Sequence, residues 1–273
     1  MRRPIYQKRL AGLLALTLTL ALTGCGGTTR GTGNTDQSLQ AVLDAGELIL
    51  GLDTAFPPMG FIDETGEIVG FDIDVAQEVC DRLGVKLVKQ SIDWDNKEND
   101  LNEGRIDCIW NGLSVTPARA EAMCLSEPYM KNELIIVVPG SSVVKGMEDL
   151  SGRIVGVQSG STTQEVLEAS AFFPDIQVMC FDTMQELLER LKTGDVEAAL
   201  VDSVAAFYFI FSSDAPFFIL PDSLGEEDYA IAFRKGDQAL RDRVQEIISA
   251  MKADGTMGEI STKWFGSDIT TVR

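Results

Sequence analysis

Histidine does not occur anywhere in the 273 residues. Its absence removes Ser–His–Asp and Cys–His arrangements, in which an imidazole takes the nucleophile's proton. Positive charge is scarce as well: 23 lysines and arginines stand against 42 aspartates and glutamates, a net charge of −19. A protein that grips a phosphate backbone needs the opposite balance, so nucleic acid is excluded as a partner. The five cysteines show no zinc-site spacing, and no cluster of hard oxygen ligands suits calcium or magnesium. The expectation is a protein without metal or cofactor. An apolar fraction of 45% with 24% charged residues is that of an ordinary folded chain, long enough for one large domain or two modest ones.

What is present begins with a leader. "MRRPIYQKR" is basic, and "LAGLLALTLTLAL" is apolar but too short to span a bilayer comfortably. The run ends in Leu22-Thr23-Gly24-Cys25, which resembles a bacterial lipobox. That resemblance implies a lipoprotein signal peptide over residues 1–24 and a diacylglycerol on the thiol of Cys25, anchoring the chain to the extracytoplasmic face of the membrane. Arg2, Arg3, Lys8 and Arg9 leave with the leader and no acid does, so the mature charge is −19 − 4, about −23. Residues 25–40, rich in Gly and Thr, read as a flexible tether. Cys80, Cys108, Cys124 and Cys180 lie in apolar or helical patterns and are expected as buried thiols, with pairing left open.

The body alternates strand-like and helix-like segments in two series, each about a hundred residues long and so of domain size. In the first, "ELILGLD", "VKLVKQ" and "IDCIWNG" read as strands, with helices over "DIDVAQEVCDRLG", "NKENDLNEGR" and "TPARAEAM". Thr116 is a good N-cap there, and Pro117 at the first helical position loses nothing by lacking an N–H. In the second, "GRIVGVQ", "IQVMCF" and "VEAALVD" read as strands between capped helices, with a capping box at Thr183 and Glu186 and a stop at Gly194. Two α/β units in tandem imply a cleft. Ligands in such sheets sit beyond the carboxyl ends of strands, where Asp53, Asn111, Gly112, Gln158 and Asp202 fall.

Arg119 stands in the first turn of its helix, where a cation opposes the helix dipole and costs a few tenths of a kcal/mol, on the order of 0.3. It is either a solvated surface charge or, beside Ser114 and the open amides of a helix start, a receptor for a carboxylate. "VGVQSGSTTQE" feeds a helix N-terminus in the manner of a phosphate loop, yet lacks the Gly-Lys-Ser/Thr that a nucleotide needs. Asp202 is either an N-cap carboxylate or the counter-ion of an ammonium group. Phe56 and Trp94 follow strands and are either pocket walls or core. Asp72 and Asp74 read as helix-start residues.

"GLDTAFPPMGF", "GFDIDVAQEV", "DCIWNGLSVTPAR", "VGVQSGSTTQE", "LVDS" and "TKWFG" stand in the order of one family. The chain resembles a polar amino-acid ABC-transporter substrate-binding lipoprotein, an extracellular solute-binding protein of family 3, from about Gly46 to Gly266. The resemblance implies an α/β, two-lobe, type II periplasmic-binding-protein-like fold. Each lobe is then a mainly parallel sheet flanked by helices, with lobe 1 over 41–130 and 229–273, lobe 2 over 131–228, and two hinge straps between them. It assigns the ligand α-carboxylate to Arg119, helped by Ser114, the backbone at Gly112 and Thr162, and the α-ammonium to Asp202. It puts Asp53, Phe56 and Trp94 around the ligand side chain, with Gln158 at a position that varies with ligand. Asn111 and Trp110 replace smaller residues. Asp53 suits an amide or a cation, so polar neutral or basic amino acids lead, with cystine open. The implied partners are a free amino acid and an ABC permease with its ATPase. The rivals are a cyclohexadienyl-dehydratase-like enzyme on the same fold and a ligand-sensing partner of a membrane receptor.

Overall fold

The computed structural model describes residues 36–213 and 216–273, so the leader, Cys25 and the tether as far as residue 35 lie outside it. Residues 38–40, expected to finish the tether, already belong to helix α1 (Ser38–Ala45). Asp36 fastens this end by accepting from the N–H groups of Ser38 and Ala239.

Strand β1 (Glu47–Leu52) is followed by a small antiparallel sheet of β2 (Ala55–Phe56), β3 (Gly60–Ile62) and β4 (Ile68–Val69). Then come α2 (Phe71–Leu83), β5 (Lys86–Ser91), α3 (Lys97–Asn102), β6 (Cys108–Ser114), α4 (Pro117–Ala122) and β7 (Cys124–Leu125). Strand β8 (Met130–Pro139) leads into β9 (Ile154–Gln158), α5 (Thr162–Ala169), β10 (Gln177–Phe181), α6 (Met184–Thr193), β11 (Ala198–Asp202) and α7 (Ser203–Ser213). The long β12 (Phe217–Phe233) returns the chain, and α8 (Gln238–Asp254) and α9 (Thr256–Phe265) close it.

Local signals fix most boundaries. The Thr116 hydroxyl accepts from the Arg119 N–H at 3.2 Å ahead of Pro117, and the Ser161 hydroxyl accepts from the Gln164 N–H at 3.2 Å. Thr183 caps α6 through the Glu186 N–H at 3.1 Å, but the Glu186 carboxylate accepts from Arg190 at 3.3 Å, so only the threonine half of the expected capping box is formed. The polar helix expected over "NKENDLNEGR" is shorter, because the backbone turns at Gly104 with φ of 73°.

The larger sheet runs β10-β9-β11-β8-β12-β6-β1-β5, with β7 alongside β12. Pairing is parallel within β5-β1-β6 and within β10-β9-β11, and antiparallel where β8 and β12 join the two groups. Every residue of β6 is buried, as a strand covered on both faces must be. The strand also runs on through Ser114, two residues past the expected "IDCIWNG". Three of the cysteines, Cys80, Cys108 and Cys124, are buried as expected, and they are unpaired. Cys180 departs from the expectation. It is unpaired but exposed, because β10 is the edge of the sheet and only Phe181 of that strand is fully covered.

Candidate functional site

Eleven residues line a small cavity between the two strand groups. From the first series come Asp53, Phe56, Trp94, Asn111, Gly112, Ser114 and Arg119; from the second come Gln158, Ser161, Thr162 and Asp202. All ten residues singled out in the sequence are brought together, and Ser161 joins them.

Strand β6 supplies one wall through a bulge. Its partner residues on β12 skip between Ala230 and Ala232, and Gly112 adopts φ of 59°. A β-carbon at residue 112 would lie 2.9 Å from Phe56 Cε1 and 3.1 Å from Tyr229 Cε2, so only glycine fits there. The alternation of the strand sends Trp110 into the core, 6.5 Å from the Tyr129 ring, and Asn111 to the cavity. The bulky indole is therefore no occupant of the site. Asn111 Oδ1 accepts from the Asp53 N–H at 3.1 Å, which fixes the amide's orientation, and its Nδ2 is buried without a partner.

Asp72 is fully buried and reaches from the first turn of α2 to this wall. Its Oδ2 accepts from the Gly112 N–H at 2.8 Å and the Tyr129 hydroxyl at 3.0 Å. Burial pushes its carboxyl up to about 7, against the lowering effect of those bonds and of the nearby Trp110 indole. The Gly112 amide is thus already committed, and the backbone contribution expected there can come only from the carbonyl.

Arg119 is 5% exposed. Nη1 donates to the Ser114 carbonyl at 2.9 Å and Nη2 to the Gly160 carbonyl at 3.5 Å, which orients the guanidinium without neutralising it. Burial lowers its pKa, opposed by the fields of Glu165, Glu98, Glu227 and Asp202. Asp202, on the other strand group, accepts from the Asn132 amide and, at 2.6 Å, from the Tyr229 hydroxyl. Burial first, and the neighbouring Glu227 charge second, push its carboxyl up to about 7. A buried cation and a buried carboxylate thus share one small cavity.

Four side chains cross between the strand groups. Gln158 Nε2 donates to Asp53 Oδ2 at 2.9 Å, and the Thr162 hydroxyl donates to Ser114 Oγ at 3.2 Å. Lys97 and Arg119 both reach the Gly160 carbonyl, Lys97 at 2.9 Å. Asp53 also accepts from the Ala55 N–H at 2.8 Å, and burial raises its carboxyl above the usual range. Gln158 was expected only as a variable pocket residue; it also ties Asp53 across the cleft.

Lys97 was missed in the sequence. It is 4% exposed, donates to the Trp94 carbonyl at 3.0 Å and lies 5.0 Å from the Trp94 ring centroid. Burial and the charge of Arg119 push its ammonium down to about 8. A lysine inside "DNKEND" carries every sign of a solvated face, so nothing in the sequence betrayed it. Glu227 and Asn132, which stand opposite one another on β12 and β8, were missed for the same reason.

The model of bacterial extracellular solute-binding proteins, family 3, matches residues 48–267. The L-cystine-binding protein TcyJ of Escherichia coli is 29% identical over 234 residues, covering 85% of this chain and 87% of that protein. The arginine-binding extracellular protein ArtP of Bacillus subtilis is 29% identical over 263 residues, covering 95% and 98%. Among solved structures, an ABC uptake transporter substrate-binding protein from Streptococcus pneumoniae with bound histidine superimposes with a TM-score of 0.84 at 34% identity, covering 87% of this chain and 99% of that one. An ancestral amino-acid-binding protein, described as a precursor of cyclohexadienyl dehydratase, superimposes with a TM-score of 0.78 at 30% identity, covering 84% and 99%.

Proposed function

The chain belongs to the bacterial extracellular solute-binding proteins, family 3, and from that membership we propose that it is the extracytoplasmic substrate-binding component of an amino-acid ABC importer. It captures a polar or basic amino acid between two closing lobes and delivers it to a permease with its ATPase. The observation that carries this reading is the pairing of buried Arg119 with buried Asp202 on one cavity, since a free α-amino acid presents a carboxylate and an ammonium on the same carbon. Contacts from both lobes mean that ligand favours the closed state.

In this proposal Arg119 and Thr162 receive the carboxylate, Asp202 and Gly112 the ammonium, and Phe56 and Trp94 wall the side chain. Asp53, Asn111 and Gln158 face its far end. The unpartnered Asn111 Nδ2 supports a side chain that carries an acceptor there. We take lobe 1 as 41–130 and 229–273 and lobe 2 as 131–228, a division supported by the paired strands β8 and β12 that join the two strand groups. Cys25 carries the lipid that holds the protein to the extracytoplasmic face of the cell membrane.

A thermal-shift screen over the common amino acids and cystine tests the reading. A ligand at one hundred times its dissociation constant should stabilise the fold by about 2.7 kcal/mol, and Asp53→Ala should change which ligand gives the largest shift. A flat screen across all of them counts against an amino acid as cargo. We take the protein to be a binder and not an enzyme, because Asp202, the obvious proton-transfer group, is already used by Asn132, Tyr229 and the ligand's ammonium. Incubation with prephenate or arogenate should leave both unchanged, and turnover of either would replace this reading with the dehydratase one.

A further inference from the structure

Glu227 is not among the residues lining the cavity, yet it touches the machinery of both poles. Its Oε2 accepts from the Ser114 hydroxyl at 2.7 Å and from Asn132 Nδ2 at 3.4 Å. The same Asn132 amide donates to Asp202 Oδ1, while Asn132 Oδ1 accepts from the N–H and the hydroxyl of Ser203, both at 3.1 Å. A hydrogen-bonded chain therefore runs from Thr162 through Ser114, Glu227 and Asn132 to Asp202, with Tyr229 donating at its end.

The directions along that chain decide what Ser114 can offer. A serine hydroxyl has one proton and two lone pairs. The proton of Ser114 goes to Glu227, because an ionised carboxylate can only accept. One lone pair takes the Thr162 hydroxyl. What remains toward the cavity is a single acceptor, which suits an ammonium and repels a carboxylate.

We propose that Glu227 is a positioning residue of the amino-acid site: by taking the Ser114 proton and bracing Asn132 behind Asp202, it makes Ser114 an acceptor and commits this end of the cavity to the ligand's α-ammonium. This rests on the binding-protein reading above and adds a residue outside the cavity wall. It also moves Ser114 from the carboxylate pole, where it was expected, to the ammonium pole.

The test compares each amino acid with its counterpart lacking the α-amine: L-arginine with 5-guanidinopentanoate, and L-glutamine with glutaramate. Dissociation constants are measured by calorimetry on the full mature chain. Glu227→Leu removes the acceptor, and the affinity for the better-bound amino acid should fall about ten- to a hundredfold, the loss of a hydrogen bond to a charged group. Affinity for its desamino counterpart should change little, so the preference between them shrinks. Glu227→Gln keeps a carbonyl to accept the Ser114 proton and should retain most of the preference, while Ser114→Ala should lose it as Glu227→Leu does. In the doubly substituted Glu227→Leu/Ser114→Ala chain the losses should not add. If Glu227→Leu does not fold, the Ser114→Ala and Glu227→Gln results decide alone. Equal weakening of both ligand classes in Ser114→Ala, or loss of the preference in Glu227→Gln, overturns the assignment of Glu227. Failure of the unsubstituted protein to bind any of the common amino acids or cystine would overturn the parent reading together with this one.

Discussion

Replacing Arg119 by alanine is expected to abolish the ligand-induced rise in melting temperature for every amino acid that produces one. The guanidinium is buried and held in place by the Ser114 and Gly160 carbonyls, so its orientation is set before ligand arrives. Truncating one partner of a buried, hydrogen-bonded charge pair costs roughly 2–5 kcal/mol or more, part of it the penalty for leaving the other charge unpaired. At about 1.4 kcal/mol per factor of ten, that is a weakening of about thirtyfold to several thousandfold. The free protein should suffer much less. Without ligand the arginine is itself a desolvated charge, and its removal relieves the pressure it places on Lys97. The expected signature is a nearly unchanged melting temperature in buffer with no response to amino acids. Normal binding by Arg119→Ala would remove the carboxylate pole from this end of the cavity.

Ligand affinity should fall as pH drops below about 7, approaching a tenfold loss per pH unit. The free Asp202 carboxyl sits at about 7, since desolvation and the facing Glu227 charge outweigh the Tyr229 and Asn132 hydrogen bonds that favour ionisation. An ammonium bound against it favours the ionised form, so capture at acid pH releases a proton and is opposed by its concentration. Asp202→Asn should flatten this profile and weaken binding at pH 8, where the wild-type carboxylate is charged. Stability of the ligand-free protein should move the opposite way. The folded-state pKa of Asp202 is raised above its ordinary 3.8, and that of Asp72 likewise to about 7, so the fold binds more protons than the unfolded chain between those values. Their contribution is then largest at low pH and is lost as pH rises toward 7. Melting of the ligand-free protein at pH 5.5 and 7.5, with Asp202→Asn beside it, checks the sign: the mutant should be the less pH-sensitive. A pH-independent affinity between 5.5 and 8 would contradict the ionisation assigned to Asp202.

The parts legible in the sequence are those whose physics is local. Caps at Thr116, Ser161 and Thr183, the stop at Gly194 and the alternation of strand and helix each announce themselves within a few residues. Residues at strand ends were legible as a site because the fold class says where ligands lie. What stayed hidden depends on contacts between distant segments. Lys97 is buried by Gly160, 63 residues away, and Glu227 meets Ser114 across 113 residues. Asp72 did sit at a helix start, but its charge is spent on a strand 40 residues on. Hydrogen-bond direction was equally out of reach: Ser114 and Gly112 were singled out from the sequence, and only the structure shows that their donors are already used.

Gly160 carries a consequence of its own. Its φ is 65°, and a β-carbon there would lie 2.6 Å from Asp95 Oδ1 and 3.0 Å from Asp95 Cα on the opposing lobe. Asp95 packs against the bare backbone of residue 160, where any side chain would collide with it. The jaws can close to this separation because residue 160 is glycine, and Asp95 then stands as the stop. Amino acids of different length would all be measured against the same shut volume, as by a fixed gauge. A guest too large for it would hold the stop apart and forfeit the Lys97 and Arg119 bonds to residue 160, whereas one too small would close the gauge and leave part of it empty.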